Sequence, residues 1–281
     1  MPHFVHCLGC ILFLSVVGGA AAADDQPDPP HKHYSVSRIP PDPALATAPK
    51  VGHYRGWIPS QVDLTKLMPP VGDQGELGSG IAWAVAYAAR SYYVGRNEGR
   101  DIARADNEAS PSYVFSMAIK RDCDDGANLT DAVDVLRKGA LSLAAYPYKP
   151  RCEGPPAAAD VERAKDFRVR GYRVLENSRI DDMKGQLEHS NPIITLFRIS
   201  PAFIEFRGSS TFQEDERKSA PSADADMYQP LVIVGYDDNR EAVRVMNSWG
   251  RGWGDKGFAW IAYKDLPTRS KGSIVLDVGA P

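Results

Sequence analysis

Asp73-Gln74-Gly75-Glu76-Leu77-Gly78-Ser79-Gly80-Ile81-Ala82-Trp83-Ala84 is the stretch on which the fold of this chain turns. Gly75, Gly78 and Gly80 make a turn-rich entry. Behind them Ile81 to Val94 carries Ala, Val, Trp and Tyr on nearly every face. A helix that is apolar all round is normally buried at the centre of a domain. The segment therefore reads as a loop feeding the start of a central helix.

Working outward, two more helix signals lie nearby. Ser110-Pro111 precedes Tyr113, Val114, Met117 and Ile119, with proline in the first turn. Leu129 to Lys138 gives another helix, stopped by Gly139. After Asp166 the pattern changes to short β-rich runs: Ile193–Phe197, Leu231–Tyr236, Ala242–Met246, Phe258–Tyr263 and Ser273–Val278. Asp237-Asp238-Asn239 is a hairpin turn signal, and residues 208–226 read as an exposed polar loop. Helices first and strands second indicate an α+β fold of two packed halves.

Composition sets bounds. The chain has 281 residues, 43% apolar and 25% charged, which suits one large domain or two small ones. A net charge of −3 gives no broad basic field, so nucleic acid is not an expected partner. Cys10 to Ala23 is an apolar run ending in four alanines before Asp24-Asp25. This fits a secretory signal over residues 1–23, with an apolar tail or uncleaved anchor as the alternative. No later run is long enough to span a bilayer, so no stable membrane span is expected once the signal is removed. Residues 24–58, rich in Pro, His and charge, are expected to be a poorly ordered lead-in to a domain over 59–281. Cys7 and Cys10 would leave with the signal. Cys123 and Cys152 would remain, either as one disulfide in an oxidising compartment or as two buried thiols.

Three separated segments fit one pattern. Pro70-Val71-Gly72-Asp73-Gln74-Gly75 with Gly78-Ser79-Gly80 is similar to the nucleophile segment of one family, the papain-like cysteine peptidases. Leu231 to Tyr236 is similar to the strand after its catalytic histidine. Asn247-Ser248-Trp249-Gly250-Arg251-Gly252-Trp253-Gly254 is similar to its asparagine motif. Tyr146-Pro147-Tyr148 and the Cys123/Cys152 pair resemble further family features, and the resemblance implies a disulfide between those two cysteines. Leu77 stands where many members have a disulfide cysteine, and its expected partner is also missing. The resemblance covers roughly residues 59–281. It implies a two-lobe fold with a helical left lobe, a β-barrel-like right lobe and a cleft between them.

The family's chemistry uses a cysteine at a helix N-terminus, favoured as thiolate by the helix dipole and an adjacent imidazolium. That pair attacks an amide carbonyl and protonates the leaving amine. Carried over by position, Gln74 falls on the oxyanion glutamine, Asn247 on the residue that orients the ring, and Trp249 on the aromatic that shields it. The nucleophile's position holds Gly80, which has no side chain. The histidine's position holds Gln229, whose amide cannot act as a base near neutral pH. Losing either group from a comparable triad costs on the order of a millionfold in turnover. The oxyanion hole and binding alone leave roughly a thousandfold over water. Ser79, one residue off, would point elsewhere and has no evident base. Ser79, Ile81 and Trp249 are expected along the cleft. Gln74, Asn247 and Trp249 also have plain structural readings, as a turn bond, a strand end and a core aromatic. The resemblance implies no metal and no cofactor.

Three functions follow from these residues. The first is an exported, secreted or periplasmic, catalytically inactive homologue that binds a peptide or protein in its cleft. The second is a working cysteine-type peptidase with a non-standard site. The third is a structural or interaction module whose cleft is closed by side chains such as Ile81 and Gln229.

Overall fold

The apolar segment behind Gly80 forms one continuous helix in the computed structural model, which describes residues 34, 36, 39, 41–120, 123, 126–215 and 227–279. This central helix runs over 80–98. Its first turn, Gly80–Ala82, leads into wide π-type turns over Trp83–Arg90 and then regular α-helix over Ser91–Glu98. It is buried from Gly80 through Gly95, and Gly99 ends it with φ of 63°. The Ser110 side chain accepts the Tyr113 amide at the head of the Pro111–Ala118 helix, 3.1 Å away. The Leu129–Lys138 helix stops at Gly139, where φ is 115° and a Cβ would stand 2.4 Å from the Ala164 carbonyl oxygen. No other residue fits there without backbone movement.

The strands form one mixed sheet beside these helices. They are β1 (Gln61–Asp63), β2 (Gly171–Val174), β3 (Ile193–Arg198), β4 (Thr211–Phe212), β5 (Tyr228–Asp237), β6 (Ala242–Met246), β7 (Phe258–Ala262) and β8 (Ser270–Asp277). Their order is β2-β8-β3-β5-β6-β7-β4, with β1 also on β5. The five β-rich runs of the sequence are all strands, and Asp237 makes the turn between β5 and β6 by accepting the Asn239 and Arg240 amides. β5 is buried from Gln229 to Tyr236 and packs on the central helix, which is why its sequence is an unbroken apolar run rather than an alternation. Cys123 and Cys152 are joined by a disulfide, with Cα atoms 5.8 Å apart.

Four expectations need correction or completion. The sheet is open rather than barrel-like: β2 and β4 are its two ends, and the two residues of β4 pair only with β7. Closure needs a continuous staggered ladder, which so short an edge strand cannot supply. The region after Asp166 is not purely β, because Ile180–Glu188 is a helix. Part of the polar segment 208–226 is strand β4; residues 216–226 lie outside the described residues. The lead-in makes specific contacts with the body where it is described. Ile39 is buried in the core, Asp42 accepts both the Thr130 amide and hydroxyl, and Val51 donates to the Val174 carbonyl. These long-range contacts with the body are what composition alone does not reveal. The signal segment 1–23 lies outside the described residues. No described helix is long and apolar enough to cross a membrane.

Asp182 is the main polar anchor of the lead-in. It is 4% exposed and accepts from the Tyr54 amide (2.7 Å), His53 (3.1 Å) and Arg179 (2.5 Å). Burial pushes its carboxyl up, but these donors outweigh burial and hold it below the usual aspartate value. The stability it contributes is therefore present above the unfolded value near pH 3.9 and is lost as pH falls through the lower folded value. Asp182→Asn should lower stability by about 1–3 kcal/mol at neutral pH. It should also raise the hydrogen-exchange rate of the Tyr54 amide, read by mass spectrometry.

Candidate active site

Two loops are laced together at the head of the central helix. Gln74 donates its amide to the Ser248 carbonyl (2.8 Å), Gly250 donates to the Gly72 carbonyl (3.0 Å), and Asp73 pairs with Trp249 as an isolated bridge. Gly72 is required for this approach, since a Cβ there would fall 2.0 Å from the Trp83 ring. The pairing brings the Gln74 and Asn247 segments to one point, and β5 delivers Gln229 beside them.

At that point the side chains form a closed amide cluster. Gln229 Nε2 donates to Asn247 Oδ1 (2.8 Å) and lies 3.0 Å from Gln74 Oε1 and 3.2 Å from Ser248 Oγ. Ser248 Oγ donates to Gln74 Oε1 at 2.7 Å, and Gln74 Nε2 donates to the Leu77 carbonyl at 3.2 Å. The amide orientations follow from a single fixed donor. The Ser248 backbone N–H bonds Asn247 Oδ1 at 2.7 Å and can only donate. Asn247 must then present its oxygen, Gln229 must present its nitrogen, and Gln74 must present its oxygen.

The cluster occupies the space next to Gly80. A Cβ built on Gly80 would meet Gln74 Oε1 at 3.0 Å, Pro230 Cδ at 3.1 Å and Gln229 Nε2 at 3.3 Å. Gln74 is 0% exposed, Gln229 1% and Asn247 3%, so the centre of the site is filled with side chains. It contains no thiol, no imidazole and no carboxylate. Carboxamides do not titrate near neutral pH, so Gln74, Gln229 and Asn247 donate and accept hydrogen bonds but supply no general base.

Ser79, Ile81 and Trp249, expected to line the cleft, are all buried. Ser79 Oγ donates to the Tyr148 hydroxyl (2.7 Å), which in turn donates to the Gln74 carbonyl (2.7 Å). Burial pushes the Tyr148 hydroxyl above the usual tyrosine value, against the lowering effect of its hydrogen bonds with Ser79 and Trp83. It therefore remains protonated and offers Ser79 no base. Ile81 belongs to the core. Trp249 is covered by Tyr34 of the lead-in, their rings stacked with centroids 4.9 Å apart. Arg207 holds the Tyr34 hydroxyl at 3.0 Å. Sequence reading missed Ser248 and Tyr148 as members of the site. Ser248 sits inside the quoted asparagine motif, so its position was a usable signal; Tyr148 had no signal beyond its place after Tyr146-Pro147.

Residues 58–271 match the sequence profile of the papain family of cysteine proteases. The chain belongs to that family. Papain-family relatives include mouse cathepsin K, 26% identical over 234 residues that cover 80% of this chain and 66% of cathepsin K. Cysteine proteinase 3 of Entamoeba histolytica is 23% identical, covering 73% of this chain and 63% of that protein. The chain thus spans about two thirds of the length of these papain-family relatives. Among solved structures, xylellain, a cysteine protease from Xylella fastidiosa, superposes with a TM-score of 0.76 at 20% identity, covering 89% of this chain and 98% of xylellain. Digestive procathepsin L 3 of Tenebrio molitor gives 0.68 at 16% identity, covering 87% of this chain and 75% of that one. At these identities the structures establish the papain fold alone.

Proposed function

We propose that this chain is an exported, catalytically inactive member of the papain family that binds a peptide or protein instead of cutting it. One observation carries the reading: Gln229, Gln74, Asn247 and Ser248 form a hydrogen-bonded cluster over Gly80, where the family chemistry needs a thiolate and a proton donor. Export to the cell exterior or periplasm is supported by the apolar run before Asp24 and by the Cys123–Cys152 disulfide. A broad panel of fluorogenic peptides should give no turnover above a protein-free blank, with or without reductant. A clear rate that disappears in Ser79→Ala or on treatment with thiol reagents would establish the chain as a working peptidase.

A second reading, a structural module with a closed groove, is favoured by the burial of Gln74, Gln229 and Asn247. Peptide-library selection separates the two. Ligands that cross-link near Tyr148 and Trp249 support a binding cleft; the absence of any cleft-directed ligand supports the module.

A further inference from the structure

The opposite end of the central helix carries a second site. A groove of about 740 Å³ opens there, and it is lined by Arg55, Arg96, Arg173, His53 and His189 with no acidic side chain among its lining residues. These five come from separate places: the lead-in, the last turn of the central helix, β2, and the residue after the Ile180–Glu188 helix. The chain as a whole is acidic, with a net charge of −3, so the concentration of positive charge is local. Gly80 and Arg96 lie about 20–25 Å apart along the helix axis, at ~1.5 Å per residue. The groove is thus remote from the filled centre described above.

The nearby acids are already engaged. Asp182 holds His53, Arg179 and the Tyr54 amide; Glu188 is 3.2 Å from the Tyr54 hydroxyl and 3.4 Å from His189; Glu176 pairs with Lys50 and Glu98 with Arg100. Among the described residues Arg96 bonds only neutral oxygens, those of Asn97 and the His189 carbonyl. Arg55 and Arg173 have no acidic partner among the described residues, and both are exposed. Guanidinium groups gathered in one concavity with few counter-charges favour an anionic ligand.

The backbone along this groove says what form the anion takes. Residues 49–51 pair with β2, Val174 donating to Pro49 and Val51 donating to Val174. Beyond Val51 the chain leaves the sheet, and it bends at Gly56, where the Tyr54 hydroxyl donates to the Trp57 carbonyl. The amides of Gly52, His53, Arg55 and Gly56 have no partner among the described residues. These are unpaired backbone donors beside the charged groups, on either side of the Tyr54 amide that Asp182 holds. At its end stands Trp57, 78% exposed and the most exposed large apolar side chain of the described residues. Unpaired amides of this kind can donate to the carbonyls of an incoming peptide.

We propose that the groove binds an extended acidic peptide, which pairs with the backbone of 52–56 and sets its carboxylates against Arg55, Arg96 and Arg173. The free amides favour a peptide over a polyanion that recognises charge alone. The inference does not rest on the reading of the cleft, and its test uses no cleft variant.

The experiment is a fluorescence-anisotropy titration of the purified chain at low salt with a short alternating Glu–Val peptide. The controls are the matching Lys–Val peptide, an alternating Glu–Pro peptide of equal charge, an oligonucleotide and a sulfated polysaccharide. The Glu–Val peptide should bind, weaken as salt is added, and lose at least about tenfold in affinity in Arg55→Glu/Arg173→Glu. Both residues are exposed, so that variant should keep its melting temperature. The Glu–Pro peptide, in which every second residue lacks an N–H and has its backbone fixed by the proline ring, should bind at least about tenfold more weakly. Unchanged affinity in the double variant overturns the site. Equal binding of Glu–Pro, or binding of the oligonucleotide or polysaccharide as tight as Glu–Val, overturns the peptide.

Discussion

Gly80→Cys alone is expected to leave the chain without measurable peptidase activity, whereas Gly80→Cys combined with Gln229→His should raise kcat/KM above the single variant by at least about a thousandfold. Two of the three atoms that crowd a Cβ at Gly80 are ends of glutamine side chains, Gln74 Oε1 at 3.0 Å and Gln229 Nε2 at 3.3 Å, so they can give by a few tenths of an ångström. The single variant should therefore fold. Its thiol would sit at a helix start but beside a carboxamide, which supplies neither an ion partner nor a proton. A free thiol titrates near 8.5, so little of it is thiolate at pH 6. With histidine at 229 the thiol and imidazole can exist as an ion pair, for which comparable thiols titrate near 3–4. Asn247 is already placed beside residue 229, 2.8 Å from Gln229 Nε2, and would orient the new ring. Restoring a missing base is worth up to about a millionfold in comparable triads. The pH profiles distinguish the variants: labelling of the single variant by a thiol-directed electrophile should rise steadily toward pH 8–9, while that of the double should plateau from weakly acidic pH upward. A double variant as inert as the single would show that the retained Gln74 and Asn247 no longer form a usable site.

Much of this was legible in the sequence. The central helix, the flanking helices and five strands follow from periodicity, because their burial is dictated by local pattern. The expectation that Gly80 and Gln229 stand at the nucleophile and histidine positions came from the resemblance of the flanking motifs. What the sequence could not carry was the contents of the site. Nothing local to Gln229 says that its amide faces Asn247, Ser248 and Gln74 at once; that depends on the lacing of Gly72–Gln74 to Ser248–Gly250 across the sheet. The contacts of the lead-in were hidden for a similar reason. They are long-range, Asp42 on Thr130 and the Tyr54 amide on Asp182, and composition counts residues without seeing partners. The basic groove was invisible because Arg55, Arg96 and Arg173 are far apart in the chain and only the fold gathers them.

The role of Gln229 is tested by what replaces it. Gln229→Leu removes a donor that serves three oxygens. Each of two acceptors keeps another bond, however: Asn247 Oδ1 from the Ser248 amide and Gln74 Oε1 from the Ser248 hydroxyl. Gln229 Oε1 itself is buried without a partner among the described residues, so its loss relieves a cost. The net penalty should be modest, about 1–2 kcal/mol. Gln229→Glu has nearly the same shape and a far larger expected effect. Its carboxylate would replace a donor with negative charge facing the oxygens of Asn247 and Gln74, inside a site where residue 229 is 1% exposed. A buried charge without a partner costs about 3–5 kcal/mol. For a chain of this size that is a fall in melting temperature of roughly 10 °C at neutral pH. Burial raises the folded-state value of such a carboxyl above its unfolded value near 4.3. The folded protein then binds the extra proton, so stability declines as pH rises from about 4.3 to the raised folded value and is level beyond it. Acidification toward pH 4 should therefore restore most of the loss in Gln229→Glu and change Gln229→Leu little, with both referred to the unsubstituted chain at the same pH. If Gln229→Glu melted like the unsubstituted chain at pH 7, water or a rearranged partner would be reaching residue 229. The amide cluster would then be an open polar surface, and the closure of the site over Gly80 would have to be abandoned.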